Sequence, residues 1–281
     1  MILWLASYPK SGNTLVRSIL SAYFFSNNGK FNFNLLKNIK QFPDLNLFKN
    51  LGINILEQTE IIKNYIYAQE EINKRDKNAL RFLKSHQVLN GINGYQFTNY
   101  KNSLGVIYIV RDPRKVVLSD ANHNQISIEE SFKTMCNNNL LKGKGNFTGK
   151  VETYAGSWSS NYNSWKEFKK LNKYLLIKYE DIVKKPEEAF RIIFNFINKI
   201  SKTQTEIDEN KLKNVLKTTN FEYLQNLEKS QGFPEAVRDN QGKNVQFFKY
   251  GETNSGVEIP ELIKKKIEQS FSSEMKELGY L

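Results

Sequence analysis

Ile2-Leu3-Trp4-Leu5-Ala6-Ser7-Tyr8-Pro9-Lys10-Ser11-Gly12-Asn13-Thr14 begins as an unbroken apolar run and ends in a polar turn. An apolar run without alternation predicts a parallel strand buried on both faces, here over residues 2–6. The period then changes. Leu15, Ile19, Leu20 and Phe24 recur at helical spacing, which predicts a crossover helix over 13–25. A strand, a tight turn and a helix N-terminus gather backbone N–H groups around a lysine and two small hydroxyls, and that combination is a phosphate cradle.

Working outward, the same grammar repeats. Residues 80–84 predict a short strand that ends at Lys84-Ser85-His86. Val106-Ile107-Tyr108-Ile109-Val110 predicts another, ending at Arg111-Asp112-Pro113-Arg114, with a helix opening at Pro113. Leu175-Leu176-Ile177 predicts a third, closed by Tyr179-Glu180-Asp181, and Pro186 opens a helix with Glu187 and Glu188 in its first turn. Helical patterns also cover 56–75 (Leu56, Ile61, Ile62, Tyr65 and Ile66 forming the stripe), 158–171, 207–217 and the stretch from Pro260. Strands alternating with helices predict an α/β fold in three layers, a central, mostly parallel sheet flanked by helices, as a single domain over 1–281. Ligands of such folds bind beyond the carboxyl ends of the strands. Lys10, His86 and Arg111 all fall there.

Composition narrows the partners. The 281 residues are 40% apolar and 13% aromatic, enough for a substantial core, which argues against disorder. A net charge of +12 favours an anionic partner, whether a nucleotide, a sulfated or phosphorylated product, a nucleic acid or a membrane face. The lysines are dispersed, which argues against nucleic acid. Cys136 is the sole cysteine, so no internal disulfide forms and a reducing cytoplasm is expected. No stretch approaches the roughly 20 apolar residues of a spanning helix, and the N-terminal run enters the turn too early for a signal peptide.

The motifs together resemble a known family. Tyr8-Pro9-Lys10-Ser11-Gly12-Asn13-Thr14 closely resembles the 5′-phosphosulfate loop of PAPS-dependent sulfotransferases, usually written YPKSGTT. Arg111 through Ser119 resembles their 3′-phosphate motif, Lys84-Ser85-His86 the segment with their catalytic histidine, and Tyr179-Glu180-Asp181 a segment after a later strand. The motifs occur in family order over nearly the whole chain. The resemblance implies a P-loop-like version of the predicted fold, PAPS as donor cosubstrate and 3′,5′-ADP as product. It implies no metal and a small-molecule, lipid or saccharide acceptor that receives the sulfuryl group on a hydroxyl or amine.

It also implies roles. Lys10 meets the phosphosulfate and the bridging oxygen, and Ser11, Gly12, Asn13 and Thr14 supply N–H, hydroxyl or amide contacts. His86 is the general base, with Lys84 beside it on the sulfuryl oxygens. Arg111 and Ser119 hold the 3′-phosphate. Tyr179 approaches adenine, and Thr219 and Phe221 match a Thr-x-Phe element of the nucleotide site. The family often has an adenine-stacking tryptophan where this chain has Leu15. Its Arg-Lys-Gly turn is Lys249-Tyr250-Gly251 here, so Lys249 becomes a point charge for the 3′-phosphate and Tyr250 replaces the lysine. The dimer motif of many cytosolic members is not recognisable.

A P-loop-like nucleotide kinase or hydrolase and a non-catalytic anion-binding module stand as alternatives. The first expects GxxxxGK[ST] with an acidic Mg²⁺ residue, whereas here the lysine precedes Ser-Gly. His123, near the end of the Pro113 helix, reads as structural or surface. Candidate acceptor walls are 27–56, 87–102 and 137–162, with Phe24, Phe31, Phe33, Tyr95, Phe97, Phe147, Tyr154 and Trp158 as their aromatics. Within them, 137–157 reads as either a lid or a surface loop.

Overall fold

A computed structural model describes residues 1–75, 80–142, 151–239, 241–249 and 258–281. The strands in chain order are β1 (Ile2–Ser7), β2 (Arg81–Ser85), β3 (Ser103–Val110), the two-residue β4 (Leu141–Lys142) and β5 (Thr153–Tyr154), and β6 (Tyr174–Lys178). Four of them form one sheet in the order β2-β1-β3-β6, and every pairing in it is parallel. β4 and β5 pair antiparallel, apart from it.

The unbroken apolar reading of β1 has a direct cause. Ile2, Trp4 and Ala6 enter one core with Val106, Tyr108 and Val110, while Leu3 and Leu5 enter a second core with Ile107, Ile109 and Ile177. Both faces of the sheet are covered, which gives the three layers. Fully burying a large aliphatic or aromatic side chain contributes about 1.5–3 kcal/mol, so a central strand with no exposed residue anchors both cores. Helix α1 (Asn13–Phe25) packs Val16, Ile19, Leu20 and Tyr23 into the second core, against the Pro186–Ser201 helix. The Trp158–Trp165 and Glu261–Ser270 helices close the first core. Trp4, wholly buried there, donates its indole N–H to Ser103 Oγ at 2.8 Å, so the largest side chain of β1 is packed without a stranded donor.

Three expectations are corrected. The stretch 56–75 holds two helices, Gln58–Lys63 and Tyr65–Lys74. Asn64 separates them at φ −99°, ψ 11°, and its side chain donates to Glu60 O at 2.8 Å, competing with the helical ladder. Leu56 is 91% exposed and lies outside the stripe that buries Ile61, Ile62 and Tyr65. The 158–171 helix is α-helical only to Trp165 and continues as a 3₁₀ turn over Lys166–Leu171. A further helix, Ile128–Cys136, follows a capping box of Ser127 and Glu130. That Ser-x-x-Glu signal is present in the sequence but was not read as a helix start.

One buried amide fixes the chain beyond β2. Asn161 Nδ2 donates to His86 O at 2.9 Å and to Ala155 O at 2.8 Å, and its Oδ1 accepts from Tyr108 OH at 2.8 Å. Trp165 Nε1 donates to Gln87 O at 2.9 Å alongside. Removing the amide strands three buried partners, each costing about 1–3 kcal/mol. Asn161→Ala is therefore expected to lower the unfolding free energy by about 2 kcal/mol or more in urea denaturation. A loss under about 0.5 kcal/mol, the size of an ordinary surface change, would show that the clamp carries no weight.

Candidate active site

The loop between β1 and α1 is set by two left-handed residues. Lys10 takes φ 66°, uncommon for a residue with a Cβ and found most at functional sites. Gly12 takes φ 102°, and a Cβ there would lie 2.4 Å from Tyr179 Cδ2. Backbone angle and the Tyr179 ring thus both require glycine. Asn13 Nδ2 donates to Leu5 O at 2.9 Å and to Ser7 Oγ at 3.2 Å, fastening the start of α1 to the end of β1. Gly12, Asn13 and Thr14 line a cavity of about 820 Å³, at the end of the helix dipole that favours anions. Ser11 sits behind the loop, fully buried and off the cavity wall, and among the described residues its Oγ has no hydrogen-bond partner.

β2 pairs in register beside β1, so Ser85 faces Ala6 and His86 comes next to Ser7. His86 Nδ1 lies 2.9 Å from Ser7 O and 3.2 Å from Ser7 Oγ. A carbonyl oxygen only accepts, so Nδ1 carries the proton and Nε2 keeps its lone pair. Withdrawal from water pushes the imidazole down to about 3. Nearby Lys84 adds to this, and the Ser7 carbonyl only partly opposes it. The ring is a neutral base on the cavity wall.

Cations converge on the same cavity. Lys10 Nζ lies 3.9 Å from the centroid of the Phe247 ring. Burial pulls this lysine down to about 7, with Lys84 and Arg111 reinforcing and Asp120 opposing. Arg111, at the end of β3, is 6% exposed and stacks over the Tyr179 ring at 4.3 Å. Lys84 is buried on the other side, 3.7 Å from Glu235, which in turn pairs with Arg17 at 2.8 Å. Lys249 Nζ donates to Asn122 Oδ1 at 3.1 Å.

Of the residues singled out in the sequence, the cavity brings together Lys10, Gly12, Asn13, Thr14, Leu15, Lys84, His86, Arg111, Ser119, Tyr179, Thr219, Phe221 and Lys249. Ser11 stays behind the wall, and Tyr250 and Gly251 lie outside the described residues. Thr219 is nearly buried and donates its hydroxyl to Val215 O at 2.8 Å. His123, read as structural or surface, lines the cavity with its ring facing Phe247 at 6.0 Å. Its signal was helical spacing: Ser119, Asn122 and His123 stand at i, i+3 and i+4 on the Pro113–Asn124 helix, and all three line the wall. Arg17, Asp120 and Glu235 carry no local signal in the sequence.

The aromatic acceptor walls are corrected. Phe31, Phe33, Phe97 and Trp158 are buried in the two cores, Phe24 packs on Phe82, and Tyr95 is exposed. Phe147 lies outside the described residues, as do 143–150 of the candidate lid. Of that stretch, Val151 and Thr153 line the cavity.

A family model of the sulfotransferase domain matches residues 2–279, and the chain belongs to that family. Luciferin sulfotransferase of Photinus pyralis is 26% identical over 226 residues, covering 79% of this chain and 56% of that protein. The chain spans about half the length of the curated relatives it matches. Among solved structures, a mouse sulfotransferase complexed with PAP shares the fold with a TM-score of 0.56 and 16% identity, over 98% of this chain and 83% of that one. Retinol dehydratase in complex with androsterone and PAP does so with a TM-score of 0.60 and 16% identity, over 98% and 80%.

The imidazole gives a direct test. Long-range ¹⁵N–¹H correlation of the two histidines, assigned with His123→Gln, is expected to show His86 neutral and protonated on Nδ1 from pH 5 to 8. A titration midpoint near the ordinary histidine value of about 6.5 would contradict the geometry.

Proposed function

We propose that this chain transfers the sulfuryl group of PAPS to a hydroxyl or amine of a small acceptor and releases 3′,5′-ADP. The observation that carries the reading is His86, its Nδ1 2.9 Å from Ser7 O, in one cavity with Lys10, Lys84 and Arg111. The residues fit such a donor. A helix N-terminus and three buried or half-buried cations at strand ends suit a polyanion.

In this reading His86 Nε2 takes the proton from the acceptor hydroxyl as its oxygen forms a bond to sulfur. The bond between sulfur and the bridging phosphate oxygen breaks, and its electron pair leaves with 3′,5′-ADP. Lys10 meets the charge that grows on that oxygen, and Lys84 meets the sulfuryl oxygens. Arg111, Ser119 and Lys249 take the 3′-phosphate. Tyr179, Phe221 and the aliphatic Leu15 flank adenine in place of a stacked tryptophan. Among the described residues no helix is long and apolar enough to cross a membrane. Together with the sole cysteine, this supports a place in the reducing cytoplasm.

Two measurements check the reading. With radiolabelled PAPS and an acceptor panel, His86→Ala is expected to lose about 10²–10⁴-fold in transfer rate while 3′,5′-ADP affinity changes by less than about threefold. Transfer unchanged in His86→Ala would remove the base assignment. Preference for Mg-ATP over 3′,5′-ADP would point to the kinase-like alternative, and salt-sensitive polymer binding with no saturable nucleotide site to the anion-binding one. The second measurement follows from Lys10. Its value near 7 means it is charged at pH 6 and largely neutral at pH 8, so nucleotide binding at pH 8 must take up a proton. Titration calorimetry in buffers of different ionisation enthalpy is expected to show uptake of up to about one proton at pH 8, little at pH 6, and none in Lys10→Met. A buffer-independent enthalpy at pH 8 would contradict it.

A further inference from the structure

Where a nucleotide is read to lie, Tyr179 stacks with Arg111, Phe247 lies under Lys10 and Phe221 meets Phe248. The opposite side is built around His86 from both flanks. On one flank the chain at 40–42 runs beside the end of β2, with Lys84 N donating to Lys40 O at 2.9 Å and Phe42 N to Lys84 O at 2.8 Å. This pairing brings Gln41 and Asp44 to the cavity while the Phe42 ring turns inward against Trp4. On the other flank, Val88 N donates to Tyr154 O at 2.8 Å and Tyr154 N to Gln87 Oε1 at 2.8 Å, which brings Thr153 to the wall. Pro43, Leu45, Val151, Pro234 and Ala236 add aliphatic surface to the same cavity.

Two of the polar groups in the cavity are carboxyl groups, Glu235 and Asp44. Glu235 takes both guanidinium bonds of Arg17 Nη1, at 2.8 and 3.0 Å, and lies 3.7 Å from Lys84 Nζ, with 40% of its side chain still exposed. Arg17 cannot swing away, since its Nη2 is held on Leu36 O at 3.2 Å. Burial alone would raise the Glu235 carboxyl, but Lys84 and Arg17 outweigh it and hold it at about 2. It is an oriented carboxylate that can only accept, and Asp44 brings a second carboxyl group to the cavity. Asp44 spends one oxygen on Leu47 N and keeps the other.

A phenol or sterol with a single hydroxyl commits it to the reaction and leaves the carboxylates of Glu235 and Asp44 without a donor. A compound carrying several hydroxyls supplies the donors that two carboxylates need, and its C–H faces suit Pro43 and Val151. We propose that the acceptor is a small polyhydroxylated compound of the saccharide class, and that Glu235, with Asp44, determines this specificity by accepting hydrogen bonds from hydroxyls next to the reacting one. The proposal rests on the sulfuryl-transfer reading for the identity of the reacting hydroxyl, but the binding surface stands on its own geometry.

The test separates binding from transfer. The protein saturated with 3′,5′-ADP is presented with methyl glycosides of glucose, galactose and glucosamine, with 4-nitrophenol and with androsterone. Saturation-transfer NMR reads binding, and radiolabelled PAPS reads transfer. At least one glycoside is expected to bind more tightly than 4-nitrophenol and androsterone. Glu235→Gln is expected to weaken that glycoside by about tenfold, the size of one lost charge-assisted hydrogen bond, while leaving the weak phenol binding as it was. Asp44→Asn keeps a good helix cap, so its stability is preserved, and it is expected to weaken the glycoside without touching 3′,5′-ADP affinity. Tighter binding of 4-nitrophenol or androsterone than of every glycoside would overturn the proposal. So would glycoside binding unmoved in both folded variants. Glycoside binding without transfer from PAPS would leave the acceptor surface supported and count against the transfer reading instead.

Discussion

The hydrogen bond from His86 Nδ1 to Ser7 O, 2.9 Å long, joins the ends of the two neighbouring strands on which the site is built. Nearly every property of the site passes through it. It fixes which imidazole nitrogen bears the proton, and so which one keeps its lone pair. Ser7 is in turn gripped by Asn13, whose amide also reaches Leu5, so the loop before α1 and the imidazole share one anchor. From the other side Asn161 holds the His86 carbonyl. The imidazole is therefore set from three elements: β1, the start of α1 and the Trp158–Trp165 helix.

Around that anchor the cavity divides by chemistry. One side has cations, aromatic rings and a helix N-terminus, a set matched to a nucleotide carrying several negative charges. The other has carboxylates, an amide, a hydroxyl and small aliphatic surfaces. Lys84 stands between the two, drawn to Glu235 on one side and read to meet the sulfuryl oxygens on the other. The depressed lysine at position 10 belongs to the same logic. Burial disfavours its charged form first, and Lys84 and Arg111 add to this.

How much of this was legible in the sequence depended on distance along the chain. β1, the turn and α1 are contiguous, and their change of period is plain, so the 13–25 helix matches α1 residue for residue. Strand ends carrying Lys10, His86 and Arg111 were readable because a parallel sheet puts all its carboxyl ends on one edge. Pairings across the fold were not. Arg17 and Glu235 are 218 positions apart, and nothing local marks either one as a partner. The aromatic residues misled for a related reason: composition cannot tell a ring that fills a core, such as Phe97 or Trp158, from one that lines a pocket. Asn64 shows a smaller failure of the same kind, where a side-chain hydrogen bond outweighed an apolar stripe.

The most direct measurement of the central claim is a crystal structure with 3′,5′-ADP bound. The account predicts the 5′-phosphate within about 3 Å of Lys10 Nζ and of amides at the start of α1, the 3′-phosphate on Arg111, and His86 Nε2 facing the open side with its Nδ1 bond to Ser7 O intact. A nucleotide seated elsewhere, or a His86 ring turned so that Nε2 is occupied by the protein, would contradict it.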